Sequence, residues 1–230
     1  MKILFFQHVA WYGGSGLSLC QIIESVCPQC ETIVVLSQDG ELRQRLESIG
    51  AKVVIEKHIV PFCGAFAGEK PLFFEKENLR GLIHYHQTIR TAQEICKRMK
   101  PDMVYLNVAA LFPVAVGAKK AGVGRVVLHV REPLCFKPNS LQVSIKDSVV
   151  DNHVDEIVAI TEANALDFAP DGSCHIVPNW VDFAGRDGAF DPYGEYGISH
   201  AKKIVLALGG RHRCKGTLYA LQAAELLKRD

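Results

Sequence analysis

His129, Arg131 and Glu132 lie within four residues of one another, directly after the apolar run Val126–Leu128. An imidazole, a guanidinium and a carboxyl are costly to place in a core. Beside a polar ligand each can donate, accept or carry charge. The same residue types also allow a purely structural arrangement. In that alternative Arg131 and Glu132 form an ion pair and His129 is bonded to backbone. A second cluster is Gln7-His8-Val9-Ala10-Trp11-Tyr12-Gly13-Gly14-Ser15-Gly16, which follows the apolar Ile3–Phe6. Glycines between a strand and a helix let backbone approach a ligand closely. A third is the stretch KKIVLALGGRHRCKG, Lys202–Gly216, followed by the helical TLYALQAAELLKRD. Here Arg211, Arg213 and Lys215 sit where a strand gives way to a helix. Cations and free N–H groups at that junction suit a phosphate; a solvated basic turn is the plainer reading.

Neither glycine cluster is a standard nucleotide motif. Gly14-x-Gly16 lacks the third glycine of a dinucleotide fingerprint, because Leu19 stands there, and Gly13 comes several residues after Phe6. Lys215 lacks the glycine pattern of a Walker loop. Thr161-Glu162 and Pro178-Asn179-Trp180 close two later apolar runs. Thr161 suits a helix N-cap and Asn179 a turn, and either residue type could instead face a ligand.

The elements that must position these residues alternate along the chain. Ile3–Phe6, Thr32–Leu36, Ala51–Ile55, Met103–Leu106, Arg125–Val130, Glu156–Ile160 and His175–Val177 read as strands. Helical spacing lies between them: Leu19, Ile22, Ile23 and Val26; Leu42–Ile49 closed by Gly50; a long stripe through Leu82, Ile89, Ala92, Cys96 and Met99; and segments near 110–121 and 162–168. The pattern predicts an α/β fold with one parallel, Rossmann-like sheet over residues 1–180, Ile3–Phe6 inside it, and ligands at the strand carboxyl ends. Residues 181–201 read as a linker, and 202–230 as the first strand and helix of a second Rossmann-like domain. Lys57–Lys76 and the polar Phe136–Val150 interrupt the alternation. Phe62, Phe66, Phe73 and Phe74 in the first of these suit either a cap on the sheet edge or an exposed face for a lipid or sugar.

Bulk properties narrow the classes. The 230 residues carry 26 Lys plus Arg against 25 Asp plus Glu, a balance that gives no reason to expect nucleic acid. The eight cysteines are irregularly spaced, and Cys27-Pro-Gln-Cys30 follows a helical stretch rather than opening one, so reduced structural thiols are expected. MKILFFQH reads as a strand rather than a signal segment, and Val108–Ala118 is too short to span a bilayer, so a cytoplasmic protein is expected.

In their order, these motifs resemble the GT-B glycosyltransferases, family 4 in particular. The resemblance rests on Gly13-Gly14 after the first strand, VVLHV ending at His129, IVAITEANALDF, HIVPNWVDF, and IVLALGGRHRCKG. It covers almost the whole chain. It implies a retaining transferase of the hexosyl type, as in polysaccharide biosynthesis, that moves a sugar from a nucleotide donor to a glycan or lipid-linked acceptor. No cofactor or metal is implied, and a peripheral membrane contact is. On this resemblance Gly13 and Gly14 lie near the donor phosphate or the acceptor, and His129 touches the transferred sugar. Lys215, with Arg211 or Arg213, holds the diphosphate. Counting back from Lys215 puts Gly210 at the family's Arg position, so one of these arginines must substitute. The family's paired glutamates belong to a part of the second domain beyond Asp230. The expectation is therefore an acceptor-side domain plus the start of a donor-side domain, inactive as residues 1–230 alone. The competing readings are a non-catalytic binding module of the same fold and a Rossmann-type nucleotide-binding enzyme.

Overall fold

The computed structural model describes residues 1–62, 76–134, 136, 139–180, 190–208 and 216–227. The chain divides into two compact units, Met1–Asn179 and Trp180–Asp230.

The first unit is built on seven parallel strands: β1 Lys2–Gln7, β2 Glu31–Leu36, β3 Lys52–Ile55, β4 Met103–Leu106, β5 Arg125–Val130, β6 Glu156–Ala159 and β7 His175–Ile176. Their order is β3-β2-β1-β4-β5-β6-β7. β1 lies inside the sheet because its run is apolar on both faces; Ile3, Leu4, Phe5 and Phe6 are all buried. The strand order reverses between β1 and β4, and parallel sheets bind ligands at the strand carboxyl ends beside such a reversal.

Helices cover both faces. α1 Gly14–Val26 and α2 Glu41–Ser48 bury Leu19, Ile23, Leu42 and Leu46 against Phe5, Val34 and Leu36. Gly50 ends the second of these with φ 90°, the left-handed backbone that favours glycine after a helix. α3 Lys76–Met99 and α4 Pro113–Lys120 bury Ile89, Ala92, Val114 and Ala118 on the opposite face. They approach closely at Gly117, where an added Cβ would lie 2.4 Å from the Ile89 carbonyl oxygen.

Two sequence readings need correction. Phe136–Val150 is not simply an interruption, because α5 Leu141–His153 occupies most of it. Ser140 caps this helix, its Oγ accepting from the Val143 N–H. Its buried face holds Gln142 and Lys146 beside Val149 and Val150, so hydrophobic spacing did not reveal it. The Lys146 ammonium sits 4.8 Å from the Phe168 ring centre and donates to the Asp167 carbonyl, which makes its burial tolerable. Phe62 is not an exposed loop residue either. It is 1 % exposed, its ring is 4.8 Å from that of Phe112 and 5.6 Å from that of Tyr85, and its N–H donates to the Ala110 carbonyl. Phe66, Phe73 and Phe74 lie outside the described residues. A Phe62→Leu substitution is expected to cost about 1–2 kcal/mol through lost ring contacts and imperfect filling. Thermal melting checks this, and an unchanged midpoint would contradict the core placement.

α6 Glu162–Ala165 follows β6, and Thr161 caps it by accepting from the Asn164 N–H at 3.2 Å. The second unit contains α7 Pro192–Glu195, capped by Asp191, and α8 Thr217–Leu226. The short α7 thus falls within the stretch read as linker. Residues 204–208, expected as a strand, pair with no strand among the described residues, and Val205, Leu206 and Leu208 are exposed. Without a neighbouring strand, their backbone groups have no ladder to join. Among the described residues no helix is long and apolar enough to cross a membrane.

Candidate functional site

The site is assembled at the β1/β4 reversal, within the first unit. Its centre is Asn107, the first residue after β4. The Asn107 side-chain amide donates to Gln7 Oε1 at 2.8 Å and to the Ser15 carbonyl at 3.1 Å. Gln7 Nε2 in turn donates to Ser15 Oγ at 3.1 Å. The end of β1 and the glycine loop heading α1 are thereby tied to β4.

Arg131, just past β5, comes in from the other side. Its Nε donates to the Asn107 carbonyl at 3.0 Å and its Nη2 to Asn107 Oδ1 at 2.9 Å. Its Nη1 reaches Ser18 Oγ on α1 at 2.7 Å and Asn179 Oδ1 beyond β7 at 2.8 Å. Its Nη2 also lies 3.1 Å from Nδ1 of His129. Helix α1, strand β5 and the segments after β4 and β7 therefore meet on one guanidinium. The alternative Arg131–Glu132 ion pair is absent among the described residues; Glu132 acts on Arg131 only as a neighbouring charge.

His129 lies on the α1 side of β5 and is 3 % exposed. Tyr105 Oη is 2.7 Å from its Nδ1, and the two rings meet edge to face. Burial, and then the Arg131 charge, push the imidazole down to about 3, so it is neutral. Burial holds the Tyr105 phenol up at about 12, so it keeps its proton and donates it. Nδ1 faces two donors and must be the bare nitrogen; the proton belongs to Nε2. That Nε2 is buried and has no partner among the described residues. A buried N–H donor without an acceptor is costly and suits a ligand that supplies one.

His8 Nδ1, next in sequence to Gln7, and Glu132 Oε1, next to Arg131, are also buried without partners among the described residues. Burial pushes His8 down to about 4. It pushes the Glu132 carboxyl up to about 7, against the pull of Arg131.

The other sequence candidates are placed as follows. Gly13 leaves room for the Trp11 indole, which would lie 2.9 Å from a Cβ there. Gly14 begins α1, and a Cβ on it would meet nothing within 4 Å. The path Ser15–Asn107–Arg131–His129 links this loop to the imidazole. Arg211, Arg213 and Lys215 lie outside the described residues. Sequence reasoning passed over Ser18, Tyr105 and Asn107, which carry no signal beyond their position near strand or helix ends. Of the cysteines, Cys20 and Cys96 are free and buried, with thiols pushed up to about 11 and about 12 and therefore protonated.

A scan against protein-family models and a search of curated proteins gave no match. Solved structures do match. Anabaena Alr3699/HepE in complex with UDP-glucose is similar over 79% of this chain and 44% of its own, at 20% identity and a TM-score of 0.53. A glycosyltransferase from Rickettsia africae ESF-5 is similar over 86% of this chain and 50% of its own, at 12% identity and a TM-score of 0.53. A UDP-N-acetylglucosamine 2-epimerase is similar over 78% of this chain and 48% of its own, at 13% identity and a TM-score of 0.52. The fold is the one the GT-B resemblance implies. The chain spans about half the length of these structures.

The buried site leaves a mark on acid stability. Unfolded, both imidazoles return to 6.5 and the carboxyl to 4.5. Between these two values unfolding adds a proton to His8 and to His129 and removes one from Glu132, a net uptake of one. Stability is therefore expected to fall on acidification through this window by about 1.4 kcal/mol per pH unit. Melting midpoints across pH check the sign. A midpoint that rises or stays flat on acidification would contradict the neutral, buried imidazoles.

Proposed function

We propose that this chain carries the acceptor-side part of a nucleotide-sugar-dependent glycosyltransferase of the GT-B type, family 4-like and retaining. The observation that carries the proposal is the neutral His129, buried at a parallel sheet's carboxyl end with Nε2–H unpartnered. A fixed N–H donor in a low-dielectric setting suits a hydroxyl oxygen of the sugar being transferred. The glycine loop at the head of α1, with Gly13 and Gly14, accommodates the acceptor or the donor phosphate. Arg211, Arg213 and Lys215 are assigned to the diphosphate. The donor is a nucleotide sugar, and the acceptor a glycan or a lipid-linked sugar reached at a membrane surface from the cytoplasmic side. The HepE structure in complex with UDP-glucose and the named Rickettsia glycosyltransferase support this reading through shared fold.

The test is calorimetric titration of the 230-residue chain with UDP- and GDP-sugars, alongside a transfer assay. Three cationic contacts of up to about 1 kcal/mol each sum to about 3 kcal/mol, against the ~8 kcal/mol that micromolar binding requires. Weak, millimolar-range binding and no turnover are expected. Micromolar binding or turnover would place a complete donor site within these residues and overturn the acceptor-side assignment.

A further inference from the structure

Arg131 is a buried cation that uses its donors inward. A guanidinium has five N–H groups. Arg131 directs them to Asn107 O, Asn107 Oδ1, Ser18 Oγ, Asn179 Oδ1 and His129 Nδ1, and is 8 % exposed. No N–H remains for a ligand, and no carboxylate is paired with it among the described residues. Its position invites an anion-binding role, but its geometry does not support one.

We propose that Arg131 is a positioning residue that fixes His129 as the Nε2–H tautomer and, through Asn179, anchors the chain where the first unit ends. An imidazole is free in principle to carry its proton on either nitrogen. Arg131 cannot accept, so Nδ1 beside it must be bare, and the Tyr105 hydroxyl then has to donate as well. The contact this segment offers a ligand is a neutral, oriented N–H. The atom it recognises is a hydrogen-bond acceptor, such as a sugar hydroxyl oxygen. A cation or a pure donor is excluded there. The recognised atom follows from the glycosyltransferase reading; the tautomer does not, and it is measured without ligand.

Histidine-specific ¹⁵N labelling of the intact chain, with the His129 signal assigned by its loss in His129→Asn, reads the proton position directly. At neutral pH the wild type is expected to show protonated Nε2 and bare Nδ1. A proton on Nδ1, a tautomer mixture or an imidazolium would overturn the proposal. Tyr105→Phe removes one donor to Nδ1 and leaves Arg131, so the Nε2–H tautomer is expected to persist. Arg131→Lys and Arg131→Met remove the fork, and proton density is expected to shift toward Nδ1 or to a mixture. Loss of the tautomer in Tyr105→Phe with retention in the Arg131 variants would assign the role to Tyr105 instead. If the Arg131 variants do not fold, the wild type and Tyr105→Phe still decide.

Discussion

Replacing Arg131 with Met is expected to lower the stability of the first unit by about 3–5 kcal/mol. The loss is large because Arg131 is a hub. Asn107 would lose the Arg131 donors to its carbonyl and to Oδ1, while Ser18, Asn179 and His129 would each lose one. Each buried acceptor left unsatisfied costs about 1–3 kcal/mol, and removing a buried charge offsets part of the sum. In a chain of this size the shift corresponds to roughly 10 °C in melting midpoint. Arg131→Lys is not expected to rescue it. An ammonium is compact and cannot present a planar fork to acceptors on four separate segments. A melting midpoint within a degree or two of wild type for either variant would show that the network does not hold the strand ends together.

The second large effect falls on chemistry rather than stability. His129→Asn and His129→Gln divide the two ends of the imidazole between them. Asn sets an oxygen near the place of Nδ1, where it can still accept from Tyr105 and Arg131, but it has no group at the place of Nε2. Gln carries an N–H near the place of Nε2 and gives up the Nδ1 acceptor. In any form of the protein that transfers sugar, His129→Asn is expected to lower kcat/KM about 10²–10³-fold, the loss typical of one preorganised donor in a buried site. It should do so with little loss of stability. His129→Gln is expected to keep more of the activity and to melt earlier. The opposite ranking, with Asn active and Gln dead, would move the functional role from Nε2 to Nδ1.

Much of this was legible in the sequence. The apolar run of β1 requires burial on both faces, which puts that strand inside the sheet. Alternation with helices then fixes the parallel order, and the carboxyl ends follow. His129, Gly13 and Gly14 could be assigned to one end of the sheet on that ground. The role of Arg131 could not be read in the same way. Its type and position suit a ligand contact, and only geometry shows that Asn107, Ser18 and Asn179 use its donors. Tyr105 and Asn107 were missed because a tyrosine within a strand and an asparagine after it are ordinary. Their significance comes from partners 24 residues or more away along the chain. α5 was missed for a different reason: two of its inward positions are Gln142 and Lys146, whose burial depends on tertiary partners that no periodicity reveals.

The proposed contact between the Nε2–H of His129 and the sugar of a nucleotide sugar can be observed in solution. The most direct measurement follows the histidine-labelled chain as UDP-glucose is added to millimolar concentration, with UDP alone as the control. UDP-glucose is expected to shift the His129 ring signals, and UDP is not. The exposed His175, which contacts Glu156, is expected to stay where it is. His129 signals that do not move, or that move equally with UDP, would contradict it.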